Sequence, residues 1–154
     1  MDLKARLAEL GLVLPQAPKP LATYIPAKRS GNLIYVSGQL PMVQGELTVK
    51  GPVPSATSVE DAAAAAGQCV LNMLAIIDDM LQGDWTKFVQ VVRVGGFVAS
   101  DNDFYGQPTV INGASNLLGE IFGKQATHAR AAVGVNALPI NTSVEVEFLI
   151  QVKD

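Results

Sequence analysis

Residues 57–83, TSVEDAAAAAGQCVLNMLAIIDDMLQG, predict one long helix, and this helix decides the fold. The opening TSVE matches a capping box, in which the Thr57 hydroxyl would bond the backbone N–H of Glu60. Apolar residues follow at intervals of three and four, and Gly83 ends the run. These residues are Val59, Ala62, Ala66, Cys69, Val70, Met73, Ile77, Met80 and Leu81. An apolar stripe of this length has to lie on a broad flat surface, which a β-sheet provides.

The segments on either side of this helix predict the strands of such a sheet. Before it, residues 24–29 and 33–37 are apolar-rich runs joined by Ser-Gly-Asn, which is typical of a hairpin turn, and residues 46–49 predict a short third strand. After it, residues 88–99 are mostly apolar, and residues 144–152 alternate as in a half-buried strand. The other predicted elements are helices at 2–11 and 109–122, the latter behind Pro108, and a strand at 130–137. The order β-β-β-α-β-α-β-β predicts an α+β fold with a mixed sheet and two helices on one face.

The amino-acid composition limits which kinds of protein this chain can be. The chain has 154 residues, 49% hydrophobic and only 16% charged, which favours one folded domain whose surface is partly covered by copies of itself. The net charge is −3 and the longest basic run is Lys28-Arg29, so nucleic acid is not an expected partner. One cysteine and one histidine exclude an internal disulfide and a histidine-cluster metal site. We therefore expect no metal site, and we expect no cofactor either.

The N-terminal region predicts a short appendage to a single domain. Residues 1–19 contain the predicted helix and a proline-rich linker with Pro15 and Pro18, and Pro20 follows where the domain of residues 20–154 begins. The mixed charges of the first six residues do not match a signal peptide, and no run reaches about 18 apolar residues. We expect a cytoplasmic protein with no membrane partner.

Few residues could carry chemistry. Phosphate-loop, dinucleotide-binding and nucleophile-elbow motifs are missing from the sequence. Arg130 is the first residue of an apolar strand, where it is either solvated, paired with a carboxylate of the chain, or a receptor for a ligand carboxylate. As a receptor, its charge-assisted hydrogen bond to the ligand would contribute roughly 1.5–3 kcal/mol of binding free energy. Glu145 is a solvent-facing residue, the ion-pair partner of Arg130, or a general base that positions a water. His128 is interpreted as a surface or loop-end residue, and Cys69 as a core thiol.

Two separated segments carry a family resemblance. Residues 129–139, ARAAVGVNALP, followed by VEVE at 144–147, resemble the C-terminal signature of the RidA (YjgF-type) family of imine and enamine deaminases, some of which are labelled endoribonuclease L-PSP. Residues 31–41, GNLIYVSGQLP, resemble the N-terminal segment of the same family. Where family members commonly have Pro-Ala-Arg-Ser-Cys, this chain has His128-Ala129-Arg130-Ala131-Ala132. The resemblance covers about residues 20–152.

The resemblance implies a chorismate-mutase-like fold and a homotrimer with ligand sites in the clefts between subunits. Family members hydrolyse small 2-imino acids to 2-keto acids and ammonia. By position, Arg130 corresponds to the arginine that grips the substrate carboxylate and Glu145 to the glutamate that orients the attacking water. The other matching positions are Tyr24 for the active-site tyrosine, Asn112 for the site asparagine if residues 105–108 are an insertion, and Gly38 and Ala132 for backbone contacts to the ligand.

Such sparse machinery suits the chemistry, because an imine conjugated to a carboxylate is already electrophilic at C2. The site has to hold the carboxylate, polarise the C=N group and align one water. Two alternatives remain open at this point. One is a non-catalytic trimer that binds small carboxylates and regulates a partner. The other is RNA cleavage, which the acidic composition and the single histidine disfavour.

Overall fold

The computed structural model describes residues 1–17 and 24–154. The helices are α1 (Leu3–Glu9), α2 (Val59–Leu81) and α3 (Gln107–Phe122). The strands are β1 (Ala27–Ser30), β2 (Leu33–Gln39), β3 (Met42–Val43), β4 (Glu46–Leu47), β5 (Phe88–Ala99), β6 (Ala129–Val135) and β7 (Val144–Val152). Single turns of 3₁₀-helix occupy Trp85–Lys87, Gly123–Ala126 and Pro139–Asn141.

Five of these strands form one sheet in the order β1-β2-β7-β5-β6. Strands β5 and β6 run parallel and the other neighbours are antiparallel, so the predicted mixed sheet is confirmed. The predicted third strand lies outside this sheet, because β4 pairs with β3 and with no other strand that the structure describes. Gln44 and Gly45 between them both have positive φ, which makes a turn tight enough to fold the chain back on itself.

The core lies between this sheet and the two long helices. Alternate residues of β7 from Val144 to Val152 are almost fully buried, whereas the residues between them are half-buried on the other face. A Cβ on Gly96 of β5 would collide with Ile111 of α3, and one on Gly113 of α3 would lie 1.9 Å from the backbone oxygen of Ala63 in α2. Because these two glycines have no side chain, the sheet, α3 and α2 can pack closely together. Helix α2 is long and apolar enough to span a membrane, but most of it is buried inside the fold.

Two predicted helix starts are wrong in detail. The N-cap of α2 is Ser58, whose Oγ accepts from the Asp61 N–H at 3.0 Å. The Thr57 hydroxyl is instead buried, where it donates to the carbonyl of Lys50 and contacts the Ser143 hydroxyl. Helix α3 begins at Gln107 and contains Pro108 in its first turn, where the missing N–H costs no hydrogen bond.

Helix α1 packs into the same core as the rest of the chain. Leu3 and Leu7 are each 1% exposed, and Arg6 donates to the carbonyl of Glu120 at the end of α3 at 2.7 Å. Pro15 of the predicted linker lies in irregular backbone. Pro18 and Pro20, and with them the predicted boundary between residues 19 and 20, fall outside the described residues.

The sheet face opposite α2 and α3 is covered by no helix within the described ranges. Tyr35 of β2 and Val133 of β6 are 52% and 44% exposed on it. Arg93 and Glu147 form an ion pair of 2.6 Å on this face. That a second copy covers this face stays a prediction.

Candidate active site

The Arg130 side chain points to the helix side of the sheet. Arg130 lies opposite Val94 in the β5–β6 register, and Val94 is buried beneath the helices. Nη1 of Arg130 donates to Asn112 Oδ1 at 2.8 Å and to Ser115 Oγ at 3.1 Å, both on α3. The two hydrogens of Nη1 are therefore used. Within the part of the chain that the structure describes, Nε and Nη2 make no hydrogen bond, and together they form the planar edge that binds a carboxylate with two parallel bonds.

Asn112 and Ser115 are one helical turn apart, which places both on the face of α3 that meets β6. Ser115 was missed by the sequence predictions, although its position three residues after Asn112 on a predicted helix is a signal that could have found it. Ser115 Oγ lies 3.0 Å from His128 Nε2, and His128 Nδ1 contacts the carbonyl of Ala126. His128 lies at the end of the loop that precedes β6, as one of the two predicted positions, and its side chain is half-buried. We call Asn112, Ser115, His128 and Arg130 the arginine cluster.

Ala132 lies on the same side of the sheet as Arg130, two positions further along β6. It is opposite Gly96 and packs against the edge of the core. Its backbone groups belong to the strand at the edge of the sheet, because among the described strands β6 has a neighbour only on the β5 side. Such an edge leaves hydrogen-bonding groups available to a ligand or to another chain.

Glu145 occupies a niche on the opposite face of the sheet. A Cβ on Gly38 would lie 1.9 Å from Glu145 Oε1, so the carboxylate fills the space that this glycine leaves open. Gly38 is part of a β-bulge, since the register between β2 and β7 shifts between Val36 and Gln39. Burial raises the pKa of the Glu145 carboxyl above its ordinary value, and the Glu147 carboxylate raises this pKa further. A carboxylate with a raised pKa is a better proton acceptor. We call Gly38 and Glu145 the glutamate niche.

Tyr24 precedes β1 and its side chain is 60% exposed. The Ser37 hydroxyl, next to Gly38 of the glutamate niche, donates to the carbonyl of the neighbouring residue Ile25 at 3.0 Å. Tyr24 therefore lies near the β1–β2 end of the sheet, whereas β6 forms the opposite end.

One chain does not bring Arg130 and Glu145 together. Arg130, Val94 and Phe148 share a row on the helix side, and Glu145 is three positions from Phe148 along β7, so it points to the other face. The proposed ion pair between Arg130 and Glu145 is therefore wrong within a single chain. The predicted site residues form two groups, Arg130 with Asn112 and Ala132 on one face, and Glu145 with Gly38 on the other.

The described residues contain no group of three or more His, Cys, Asp and Glu side chains that could hold a metal ion. Cys69 is fully buried in α2, and burial raises the pKa of its thiol, which keeps it protonated. The interpretation of Cys69 as a core residue is confirmed.

Comparison with known proteins identifies the family. Residues 4–152 match the family model described as "YjgF/chorismate_mutase-like, putative endoribonuclease". The chain belongs to this YjgF family. The predicted resemblance is thereby confirmed, and with it the chorismate-mutase-like α+β fold.

Several relatives match nearly the whole chain. Protein TCP17 of Trypanosoma cruzi is 36% identical and covers 97% of this chain and 94% of its own length. A protein of Dermatophagoides farinae named 2-iminobutanoate/2-iminopropanoate deaminase is 31% identical over 90% of this chain and 93% of its own length. The crystal structure of Atu1372 from Agrobacterium tumefaciens has a TM-score of 0.92 at 45% identity, covering 99% of this chain and 93% of its own.

Proposed function

We propose that this protein hydrolyses small 2-imino or enamino acids to 2-keto acids and ammonia. One observation carries the proposal: the arginine cluster holds the Arg130 guanidinium by one nitrogen, and no residue that the structure describes bonds to its planar edge, which a carboxylate can therefore bind. Membership of a family with a relative named as an imine deaminase supports the reaction class. No cofactor is needed in this scheme, because the substrate imine is itself the electrophile.

In the proposed reaction, the carboxylate of the 2-imino acid binds the Nε and Nη2 edge of Arg130. Glu145 accepts a proton from a water as the water oxygen attacks C2 of the protonated imine, and the C=N electron pair moves to the nitrogen, which gives a neutral tetrahedral amino alcohol. Glu145 then returns this proton to the amino nitrogen. The C–N bond breaks with its electron pair on the nitrogen, and the hydroxyl proton passes back to Glu145, which releases ammonia and leaves the 2-keto acid. Burial raises the pKa of the Glu145 carboxyl, which makes its carboxylate a better acceptor for this proton.

This mechanism requires two copies of the chain, because Arg130 and Glu145 point to opposite faces of one sheet. We propose a homotrimer in which the arginine cluster of one copy faces the glutamate niche of the next. The position of β6 at the sheet edge supports this arrangement, as does the exposed face that carries Glu145. Gly38 and Ala132 would offer backbone groups at the cleft, and Tyr24 would line it from the glutamate side.

The first test measures hydrolysis of 2-iminobutanoate generated from threonine by a dehydratase. We expect acceleration over spontaneous hydrolysis by the native protein and none by Arg130→Ala. A native protein without acceleration would contradict the proposal for this substrate.

A second test asks whether the site is shared between copies. Arg130→Ala and Glu145→Gln proteins are each expected to be inactive. After they are unfolded and refolded together in equal amounts, about one quarter of the clefts would pair an intact Arg130 with an intact Glu145. Recovery of about this fraction of native activity supports a shared site, whereas no recovery contradicts it.

A second candidate function is binding of small carboxylates without turnover, as part of regulation of a partner. A relative from Lactococcus lactis named "Putative regulator AldR", 27% identical over 139 residues, favours this possibility. It predicts that 2-ketobutanoate raises the melting temperature of the native protein and not of Arg130→Ala, with no imine hydrolysis by either. Ribonuclease activity that co-purifies with the protein and disappears in Arg130→Ala would instead favour RNA cleavage.

A further inference from the structure

The hydrogen bonds behind Arg130 have only one consistent set of directions with a neutral histidine. The carbonyl of Ala126 can only accept, so His128 carries its proton on Nδ1, and Nε2 is left as an acceptor. Ser115 then donates its hydroxyl proton to Nε2 and presents a lone pair to Nη1 of Arg130. The chain of bonds therefore runs from Arg130 through Ser115 and His128 to the backbone.

This chain of bonds connects three separate elements of the fold. Ser115 lies on α3, Arg130 lies on β6, and the carbonyl of Ala126 ends the 3₁₀ turn between them. Ser115 and His128 are half-buried, so their hydrogen bonds are sheltered from competing water. An exposed arginine without such partners samples many rotamers, which lowers its affinity for a planar ligand.

We propose that Ser115 and His128 are positioning residues, which orient Arg130 so that its Nε and Nη2 edge faces the ligand carboxylate. This inference rests on the proposed function, because it assigns a role toward the same carboxylate. His128 acts only through Ser115: it orients the hydroxyl, and the hydroxyl together with Asn112 holds Nη1. The two residues contribute to affinity for the carboxylate and not to the attack of water.

Two substitutions of the histidine separate positioning from folding. In His128→Gln, the new side-chain amide can place an oxygen at the position of Nε2 and accept from Ser115, but it gives up the bond to Ala126. In His128→Asn, the shorter amide reaches only the position of Nδ1, so it keeps the bond to Ala126 and loses the bond to Ser115. Ser115→Ala removes the hydroxyl itself, at a helical position where alanine is favourable.

The experiment measures KM and kcat for 2-iminobutanoate and the Kd of 2-ketobutanoate by calorimetry. Ser115→Ala and His128→Asn are expected to raise KM and Kd about tenfold while kcat changes less than about twofold. His128→Gln is expected to retain most of the native affinity. The double variant of Ser115→Ala and His128→Asn is expected to bind 2-ketobutanoate no more weakly than either single variant, because both substitutions break the same chain of bonds.

Three results would overturn the positioning role: unchanged KM and Kd in Ser115→Ala, equal losses in the two His128 variants, or additive losses in the double variant. Arg130→Ala, measured alongside, distinguishes this failure from failure of the proposed function. If Arg130→Ala loses binding while the Ser115 and His128 variants keep it, only the positioning role is wrong. If Arg130→Ala binds and turns over normally, the proposed function is wrong. Should His128→Asn fail to fold, Ser115→Ala decides the outcome by itself.

Discussion

Gly38→Ala is expected to inactivate the protein while leaving its stability nearly unchanged. The backbone of Gly38 does not have a positive φ, so alanine can adopt the same backbone conformation without strain. The new Cβ would lie 1.9 Å from Glu145 Oε1 and 3.0 Å from Glu145 Cγ. Since ordinary contact begins near 3.4 Å, the carboxylate oxygen must move by about 1.5 Å.

A displacement of this size is large for a group that aligns a water. Misplacement of a catalytic group by about 1 Å costs on the order of a hundredfold in rate, so we expect kcat for 2-iminobutanoate to fall about a hundredfold. The free energy of unfolding should change by less than about 1 kcal/mol, because the atom that has to move furthest, Glu145 Oε1, is at the free end of a flexible side chain. Steady-state kinetics and urea denaturation measure the two quantities.

Gly95→Ala is the matched control. Its Cβ would lie 2.5 Å from Glu147 Oε1, so it displaces the neighbouring glutamate on the same face of the sheet. We expect its kcat to stay within about threefold of the native value. Full activity in Gly38→Ala would refute the assignment of Glu145 as the base.

Three further substitutions test the electrostatics and the packing. Glu145→Gln should abolish turnover yet increase the free energy of unfolding at neutral pH, because burial raises the pKa of this carboxyl in the folded state and ionisation there costs stability. The gain should grow as pH rises above 4.5 and vanish below it, and a gain that is equal at all pH values in urea denaturation would contradict the raised pKa. Gly113→Ala should lower the free energy of unfolding by about 2–3 kcal/mol, since its Cβ would meet the backbone of Ala63, which cannot move aside. Gly119→Ala, in the same helix with no atom within 4 Å, should instead be neutral or stabilising by up to about 1 kcal/mol, and equal effects of the two would refute the packing explanation.

Local patterns predicted the elements of this fold well because they depend on nearest neighbours. The three- and four-residue spacing in α2 and the alternation in β7 place apolar residues on one side whatever the partner surface is. The errors occurred where a contact with a residue outside the element itself decides the local structure. Thr57 was predicted as the N-cap, but Lys50 and Ser143 bind its hydroxyl, and adjacent Ser58 caps the helix instead.

The amino-acid sequence by itself determined the family, the mixed α+β sheet and the choice of Arg130 and Glu145 as candidates, since motif spacing and strand periodicity are properties of the chain alone. Only the tertiary structure decided how these residues are grouped. Side-chain direction in a sheet depends on register, and the register places Arg130 and Glu145 on opposite faces. Packing of α3 on β6 brings Ser115 into contact with both Arg130 and His128. The distances between these side chains cannot be read from their spacing in the sequence, because they depend on how two separate elements pack.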